Sequence, residues 1–261
     1  MARSTFPQVE AMDWDAFIRL LRREWAPGEH MSIVAPTGEG KTTVVTSILT
    51  EVGHKWELAL DPKGGDSTLA ALDWPRISGL PPPKRWHEFW RRDIYQDMAE
   101  GRPFRAIVGN VTYTVDDVIR LRSELGRTLD DVFAQGGWTV AIDEFQILAD
   151  KRLMDLGAEA ERLLIAARDK GVRLVMLFQA PRWVPRASQD QTKWNLVGLT
   201  RDKDVVERLA EMLGRSRAEI QGAISGLGAR PYSWLCARNN PRQPLIVTRP
   251  PAVARRNVRT G

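Results

Sequence analysis

The sequence predicts an α/β protein whose mostly parallel central sheet is covered by helices on both faces. Three observations support this prediction: short apolar runs recur along the chain, most of them are nearly continuous rather than alternating, and segments with helical spacing separate them. A continuous apolar run is typical of a parallel strand that is buried on both faces. Strands that alternate with helices indicate a doubly wound sheet. The predicted strands are residues 31–35, 57–60, 104–109, 138–142 and 172–178.

The predicted helices are segments in which the apolar side chains share one face. Residues 13–25 have this spacing, and Asp13 is a suitable N-cap. Residues 41–52 have it too, and Gly53 suits the end of that helix. A longer helical stretch is expected at about 202–226, followed by two strands that a turn joins. Residues 151–170 form another predicted helix. Its apolar stripe contains Leu153, Leu156, Ala160, Leu163, Leu164 and Ala167.

The composition excludes several classes of protein. With 261 residues, 43% of them apolar and 27% charged, the chain has the make-up of a soluble globular protein. It contains no run of roughly 18 apolar residues, the length of a membrane span, and its N-terminus lacks the apolar core of a signal peptide. Because Cys236 is the only cysteine, we expect a cytoplasmic protein with no internal disulfide. The net charge of +5 permits a polyanionic partner.

A glycine-rich loop, "APTGEGKT" at 35–42, lies between an apolar strand and an amphipathic helix. It fits the phosphate-binding P-loop pattern, with alanine at the first position in place of glycine. That position ends the strand and does not grip phosphate. Lys41 would reach the β- and γ-phosphates of ATP, and Thr42 would be a ligand of Mg²⁺. The residues expected to contact the nucleotide are Thr37, Gly38, Glu39, Gly40, Lys41, Thr42 and Thr43.

Two further strand ends carry polar residues that complete such a site. Asp143 and Glu144 follow the predicted strand at 138–142. Asp143 would hold Mg²⁺ through water, and Glu144 would polarise the water that attacks the γ-phosphate. Gln179 ends the next strand, at the edge where open parallel sheets bind ligands. These residues predict a P-loop NTPase of the additional-strand catalytic glutamate (RecA-like) type. The two strands expected after the helical stretch at about 202–226 add a C-terminal strand pair.

With these elements in place, residues 30–248 resemble the FtsK/HerA superfamily of DNA-pumping ATPases. The segment "LALDPKGGDS" resembles the "DPKG" segment that FtsK and the conjugative coupling proteins carry after their second strand. The segment "TVAIDEFQIL" resembles the family's "VLVDEF" strand. "AARDKGVRLVMLFQAP" resembles its "ARAAGIHLVLATQRP" segment without a gap. The resemblance implies an ATP-driven DNA motor that works as a ring of subunits.

The resemblance also implies roles for four residues. Gln179 takes the sensor position. Arg168 takes the position of an arginine that reaches into the ATP site of the neighbouring subunit. Asp61 and Lys63 take the "DPK" positions, which support the active site or the interface. With a helix rotation of about 100° per residue, Arg168 falls on the flank of the buried stripe. An arginine that interacts with the C-terminal helix dipole is the alternative.

Two departures from FtsK narrow the resemblance. The sequence Phe178-Gln179-Ala180 stands where "TQR" is usual, so other residues flank the sensor position. We also expect no membrane anchor and no C-terminal winged-helix module, which argues against the septal chromosome pump. A motor of this kind fits viral genome packaging or transfer of a mobile element better.

Contact with DNA is predicted for a basic loop at 181–194. Its charged residues Arg182, Arg186 and Lys193 would touch phosphates without reading sequence. A solvated loop without this role is the alternative. A second candidate is the Pro-, Trp- and Arg-rich insertion at about 76–103. Its basic residues are Lys84, Arg85, Arg91 and Arg92.

The leading interpretation is an ATPase that translocates double-stranded DNA as a homo-oligomeric ring, a pentamer or a hexamer, with ATP and Mg²⁺. A viral portal or capsid vertex, or a transfer complex, would be its docking partner. One alternative is a AAA+ protein remodeller with 202–226 as its lid. The other is a nucleotide-dependent assembly ATPase of a virion or secretion complex. We expect a helical segment at 1–26, the motor domain at 27–249 and a basic mobile tail at 250–261.

Overall fold

The computed structural model describes residues 9–66, 69–81, 94–110, 114–179 and 191–251. These residues form a single mixed sheet with helices on both faces. The strands are β1 (Val9–Ala11), β2 (His30–Val34), β3 (Trp56–Leu60), β4 (Arg76–Ile77), β5 (Phe104–Val108), β6 (Thr139–Ile142), β7 (Arg173–Phe178), β8 (Thr192–Val197), β9 (Trp234–Arg238) and β10 (Leu245–Thr248). The α-helices are α1 (Trp14–Glu24), α2 (Lys41–Val52), α3 (Ile94–Ala99), α4 (Val115–Gln135), α5 (Phe145–Ala149), α6 (Gly157–Lys170), α7 (Lys203–Leu213) and α8 (Arg217–Leu227).

The strand order is β1-β10-β9-β8-β2-β7-β6-β3-β5-β4. Neighbouring strands are parallel, except that β9 is antiparallel to both β8 and β10. Strand β7 lies between β2, which leads into the P-loop, and β6, which ends before Asp143 and Glu144. This inserted strand defines the additional-strand class. The predicted fold class and the C-terminal strand pair are therefore confirmed.

Most of the predicted elements are also confirmed. The five predicted strands correspond to β2, β3, β5, β6 and β7, with ends that differ by one residue. Asp13 caps α1 by accepting a hydrogen bond from the Ala16 amide at 2.7 Å. Helix α2 has the predicted bounds and ends at Gly53. The predicted stretch at 202–226 is two helices, α7 and α8, because Gly214 ends the first of them in a left-handed conformation.

The predicted helix at 151–170 begins six residues later than expected, at Gly157. Asp150 accepts a hydrogen bond from the Arg152 amide at 2.7 Å, and Asp155 has a φ of 48°. Aspartate side chains that bond to nearby backbone amides compete with the helix, which explains this turn. Leu153 is therefore half-exposed and outside the core. The remaining stripe residues whose side chains are described are buried as predicted: Leu156, Ala160, Leu163 and Leu164.

The predicted basic loop at 181–194 is wrong at its end, because β8 begins at Thr192. Lys193 is a strand residue, and its Nζ forms an ion pair with Glu29, the residue before β2. Since β8 is parallel to β2, this pair lies at the amino edge of the sheet, opposite the end where the P-loop follows β2. The expected insertion at 76–103 contributes β4 to the sheet edge, paired with β5. Sequence reasoning also missed β1 and the helix α4.

Apolar side chains pack on both faces of the sheet. Helices α1 and α2 cover one face, where the indole of Trp14 donates to Glu51 Oε1 at 2.7 Å and joins the two helices. Helices α4, α5 and α6 cover the other face. Helices α7 and α8 pack on that second face over β8, β9 and β10. Across the parts of the chain described above, no helix combines the length and the apolar character that a bilayer crossing requires.

His30 joins the sheet to α6 through a neutral imidazole. Its Nε2 lies 3.2 Å from the Leu164 carbonyl oxygen, and its Nδ1 accepts the Leu174 amide at 3.1 Å. Only the neutral ring donates at one nitrogen and accepts at the other. Burial disfavours the charged ring and lowers the pKa of His30 to about 4.

We expect acid to destabilise the protein partly through His30. The folded pKa lies below the unfolded value of about 6.5, so this contribution is complete above that pH and is lost as the pH falls toward 4. The loss is about 2 kcal/mol at pH 5. His30→Gln keeps a donor and an acceptor but does not titrate, so its urea-unfolding free energy should fall less between pH 7 and pH 5. An equal fall in both proteins would contradict the role of His30.

Candidate functional site

The P-loop follows β2 at the carboxyl edge of the sheet. Gly38 and Gly40 have φ values of 88° and 83°, which glycine adopts without steric cost. The side chain of Lys41 is buried, and its Nζ donates to the carbonyl oxygens of Ala35 at 2.9 Å and Pro36 at 3.2 Å. The loop is therefore wound around the lysine head group, which lies where a P-loop presents it to phosphates.

The loop is open at Gly38 and contains one buried cation, Lys41. A Cβ placed on Gly38 would meet no other atom within 4 Å, so the loop is open at that point. Burial lowers the pKa of Lys41, while the charges of Glu144 and Asp143 act in the opposite direction. Among the other predicted contacts, Thr37 is exposed. Three of them are half-buried: Glu39, Thr42 and Thr43.

Thr42 and Asp143, the two predicted ligands of Mg²⁺, lie close together. Thr42 Oγ1 donates to Asp143 Oδ1 across 3.5 Å, a long contact between the first turn of α2 and the end of β6. Burial raises the pKa of Asp143 to about 7, and the nearby charge of Asp66 adds to this effect. A hydroxyl and a carboxylate are hard oxygen ligands, the kind that Mg²⁺ prefers, so these residues fit that ion.

Glu144 accepts hydrogen bonds from three side chains of the site. Its Oε1 accepts from Lys63 Nζ at 2.9 Å, and both of its oxygens lie 2.9 Å from Gln179 Nε2. Gln146 also donates to it. Burial opposes the charged form, but the bonds from Gln179 and Lys63 outweigh it, so the pKa of Glu144 is lowered. The carboxylate is thus ionised at neutral pH and directed toward Gln179, which follows β7.

The backbone of Glu144 supports this orientation. Its φ of 50° and ψ of 58° are left-handed, a conformation that is uncommon outside glycine and clusters at functional sites. It turns the chain sharply between β6 and α5. The two neighbouring side chains therefore reach different parts of one site. Asp143 lies toward Thr42, and Glu144 lies toward Gln179.

Asp61 organises the loop that carries Lys63. Its buried carboxylate accepts the amides of Gly64, Gly65 and Asp66 at 3.1, 2.8 and 2.8 Å. Arg76 Nη1 donates to the same carboxylate at 3.0 Å. The "DPK" residues thus have different tasks, since Asp61 shapes the loop and Lys63 contacts Glu144.

Sequence reasoning missed Arg76 and Gln146. Arg76 was included in a predicted insertion, and nothing in its neighbourhood marks it as a partner of Asp61. Gln146 lies two residues after Glu144, and this proximity is a weak signal that the sequence did contain.

Arg168 lies apart from these contacts, in the last turn of α6. Its side chain is exposed. Arg162 of the same helix forms an ion pair with Asp130 on α4 and lies over the ring of Phe133. In the described part of the chain, Arg168 has no ion pair of this kind.

Several predicted DNA contacts lie outside the described residues. These are Arg182 and Arg186 of the basic loop, and also Lys84, Arg85, Arg91 and Arg92 of the insertion. Most of the basic tail, 252–261, lies outside them too. The third residue of the loop prediction, Lys193, is the strand residue paired with Glu29.

Comparison with known proteins agrees with this architecture. No protein-family model and no curated protein matches the sequence. The genome packaging NTPase B204 from Sulfolobus turreted icosahedral virus 2, in complex with sulfate, matches with a TM-score of 0.55 and 14% identity, over 86% of this chain and 98% of that chain. Its complex with AMPPCP matches with a TM-score of 0.51 and 14% identity, over 86% and 99% of the two chains. VirB4 of Thermoanaerobacter pseudethanolicus matches with a TM-score of 0.56 and 12% identity, over 86% and 90%. At such identities the likeness shows the fold, and this chain therefore has the P-loop NTPase fold that a viral packaging NTPase and VirB4 also have.

Proposed function

We propose that this protein is an ATPase that translocates double-stranded DNA, in genome packaging or in transfer of a mobile element. The observation that carries the proposal is the ionised Glu144 carboxylate, bonded to Lys63 and Gln179 at the edge where the P-loop lies. This arrangement suits hydrolysis of a nucleotide. The chain shares its fold with B204, which is described as a genome packaging NTPase and was solved with AMPPCP. This likeness supports ATP as the substrate and DNA as the polymer that the enzyme moves.

The side chains divide the work of hydrolysis. The P-loop amides and Lys41 would bind the phosphates of ATP. Thr42 and Asp143 would hold Mg²⁺, which when bound neutralises phosphate charge. Glu144 would orient the attacking water and accept its proton, since the lowered pKa keeps the carboxylate ionised at neutral pH. Gln179 would hold Glu144 and the water in line, because its amide already reaches both carboxylate oxygens.

The alternative of a AAA+ remodeller fits the structure less well. Helices α7 and α8 bury their apolar faces against β8, β9 and β10 and so complete the core over these strands. A lid that stood on its own would not be part of the sheet's core. The chain then continues into the strand pair β9–β10, whereas a AAA+ module normally ends with its lid. The second alternative, a nucleotide-dependent assembly ATPase without a motor function, does not require the Glu144–Gln179 arrangement.

The proposed assembly is a homo-oligomeric ring, a pentamer or a hexamer. Arg168 is exposed at the end of α6, where it would reach the nucleotide of a neighbouring subunit. Within the ring, basic loops would touch the DNA backbone. A portal or capsid vertex, or a transfer complex, would receive the ring.

Two substitutions should separate nucleotide binding from hydrolysis. Lys41→Ala should abolish ATP binding, because it removes the cation inside the P-loop. Glu144→Gln should keep ATP binding and lower turnover by about 100-fold or more, because the amide cannot accept the proton. Calorimetry and a phosphate-release assay measure the two effects. Glu161→Gln, the same change on the exposed surface of α6, serves as the control. Wild-type turnover in Glu144→Gln would show that the base is assigned incorrectly.

Mixtures of variants should test whether Arg168 acts on the neighbouring subunit. Arg168→Ala alone should lose about 10³-fold in ATPase rate. Mixed with Lys41→Ala subunits, it should regain activity where an intact site faces an intact arginine. Arg162→Ala removes an arginine from the same helix and should remain active. Absence of recovery at every mixing ratio, despite confirmed co-assembly, would exclude the action between subunits. Near-normal activity of Arg168→Ala alone would favour the helix-dipole role.

DNA should stimulate the ATPase without regard to sequence. Arg182→Ala/Arg186→Ala should weaken binding to all duplexes alike. It should also reduce the salt dependence of the affinity, because fewer phosphate contacts release fewer counterions. Lys193→Ala removes a charge that the structure pairs with Glu29, so it should leave DNA affinity unchanged. Filter binding at two salt concentrations measures both variants. If the double variant binds DNA as tightly as the wild type, the DNA contacts would be reassigned to residues 84–92.

A further inference from the structure

Tyr232 is an exposed aromatic residue beside the P-loop. Its side chain is 59% exposed. A Cβ placed on Gly40 would lie 3.7 Å from Cδ1 of Tyr232 and 3.9 Å from Cβ of Thr43. The ring edge therefore borders the loop at the N-terminus of α2 and leaves most of its surface open. Neither the hydrolytic site nor the packing of the core accounts for a large aromatic side chain in this place.

The topology of the sheet explains how residue 232 reaches the P-loop. Strand β9 is antiparallel to β8, which is itself parallel to β2. The start of β9 consequently lies at the carboxyl edge of the parallel strands. Tyr232 stands two residues before that start, in a turn that the Ser233 amide closes by donating to the Arg230 carbonyl oxygen at 3.2 Å.

Tyr232 lies on the opposite side of the P-loop from the hydrolytic residues. Glu144 and Gln179 follow β6 and β7, which extend from β2 in one direction along the sheet, whereas β8 and β9 extend in the other. The terminal phosphate must face Glu144 for hydrolysis. The phosphate chain would then run along the loop past Thr43, and the nucleoside would leave the loop on the side of Tyr232.

The backbone of Tyr232 is held in a conformation that is unfavourable for an aromatic residue. Its φ is 62°, in the left-handed region that favours glycine and asparagine. A glycine would meet the needs of this turn with less strain. Strained residues cluster at ligand sites, and here the conformation keeps the ring at the rim of the loop.

We propose that Tyr232 stacks on the base of the bound nucleotide and gives the site a preference for purine nucleoside triphosphates. This inference rests on the proposed ATPase function and names the group that binds the end of the substrate remote from Glu144. Stacking uses the face of the ring, which every base can match, and is stronger for the larger purine surface. The phosphates are bound by other groups, so the two ends of the substrate should respond separately to substitution.

The test compares a ligand that has a base with one that lacks it. Titration calorimetry with Mg²⁺ measures the affinities of wild type, Tyr232→Ala and Tyr232→Phe for ATP, CTP and inorganic tripolyphosphate. Tyr232→Ala should weaken ATP binding by about tenfold or more and leave tripolyphosphate within about twofold. Its preference for ATP over CTP should shrink. Tyr232→Phe keeps the ring and should match the wild type with all three ligands.

A stability measurement separates this role from a structural one. Thermal unfolding without nucleotide should show that Tyr232→Asn is at least as stable as the wild type, because asparagine tolerates the left-handed conformation. It should nevertheless bind ATP as weakly as Tyr232→Ala. A marked loss of stability, or an equal loss of affinity for ATP and tripolyphosphate, would overturn the inference and assign Tyr232 to support of the loop.

The remaining outcomes distinguish the two proposals. If the wild type binds ATP and Tyr232→Ala binds it equally well, the stacking role is wrong and the ATPase proposal stands. If the wild type binds neither ATP nor tripolyphosphate, the proposed function fails, and the role of Tyr232 fails with it.

Discussion

The hydrogen-bonded carboxylate of Glu144 is the interaction on which the site depends. A buried carboxylate is costly unless donors satisfy it, and here the donors come from separate elements. Lys63 follows β3, Gln179 follows β7, and Gln146 belongs to α5. These donors meet only when β3, β6 and β7 pair in their observed register. The order of the strands therefore determines which side chains can reach Glu144.

Further hydrogen bonds connect this carboxylate to the edge of the sheet. Asp61 holds the loop after β3 by accepting three backbone amides, and this loop presents Lys63 to Glu144. Arg76, on the edge strand β4, donates to Asp61 and also to the Gly109 carbonyl oxygen at 2.8 Å. Satisfied networks of this kind rigidify the groups that they contain. A strand with only two residues thus contributes to the placement of Lys63, which donates to Glu144.

The C-terminal third of the chain has a comparable task on the other side of the P-loop. Helices α7 and α8 cover β8, β9 and β10, and the reversal of β9 returns the chain to the carboxyl edge. A parallel strand in that place would begin at the amino edge and could not bring Tyr232 to Gly40. The antiparallel strand pair is therefore more than a cap on the sheet, because its reversal brings Tyr232 to the P-loop on the side opposite Glu144 and Gln179.

Most of the strands, the P-loop and the Asp143–Glu144 pair could be predicted from the sequence, because each is a local pattern of adjacent residues. It also indicated Gln179, since the ends of parallel strands meet at one edge. The folded structure was needed to show that Arg76 donates to Asp61, that Lys193 lies at the opposite edge of the sheet and that Tyr232 borders the P-loop. Periodicity reports which side chains are buried, but it does not report which strands become neighbours or which of them reverses direction. Residues such as Asp61 and Arg76, 15 positions apart in the chain, acquire their roles through that pairing.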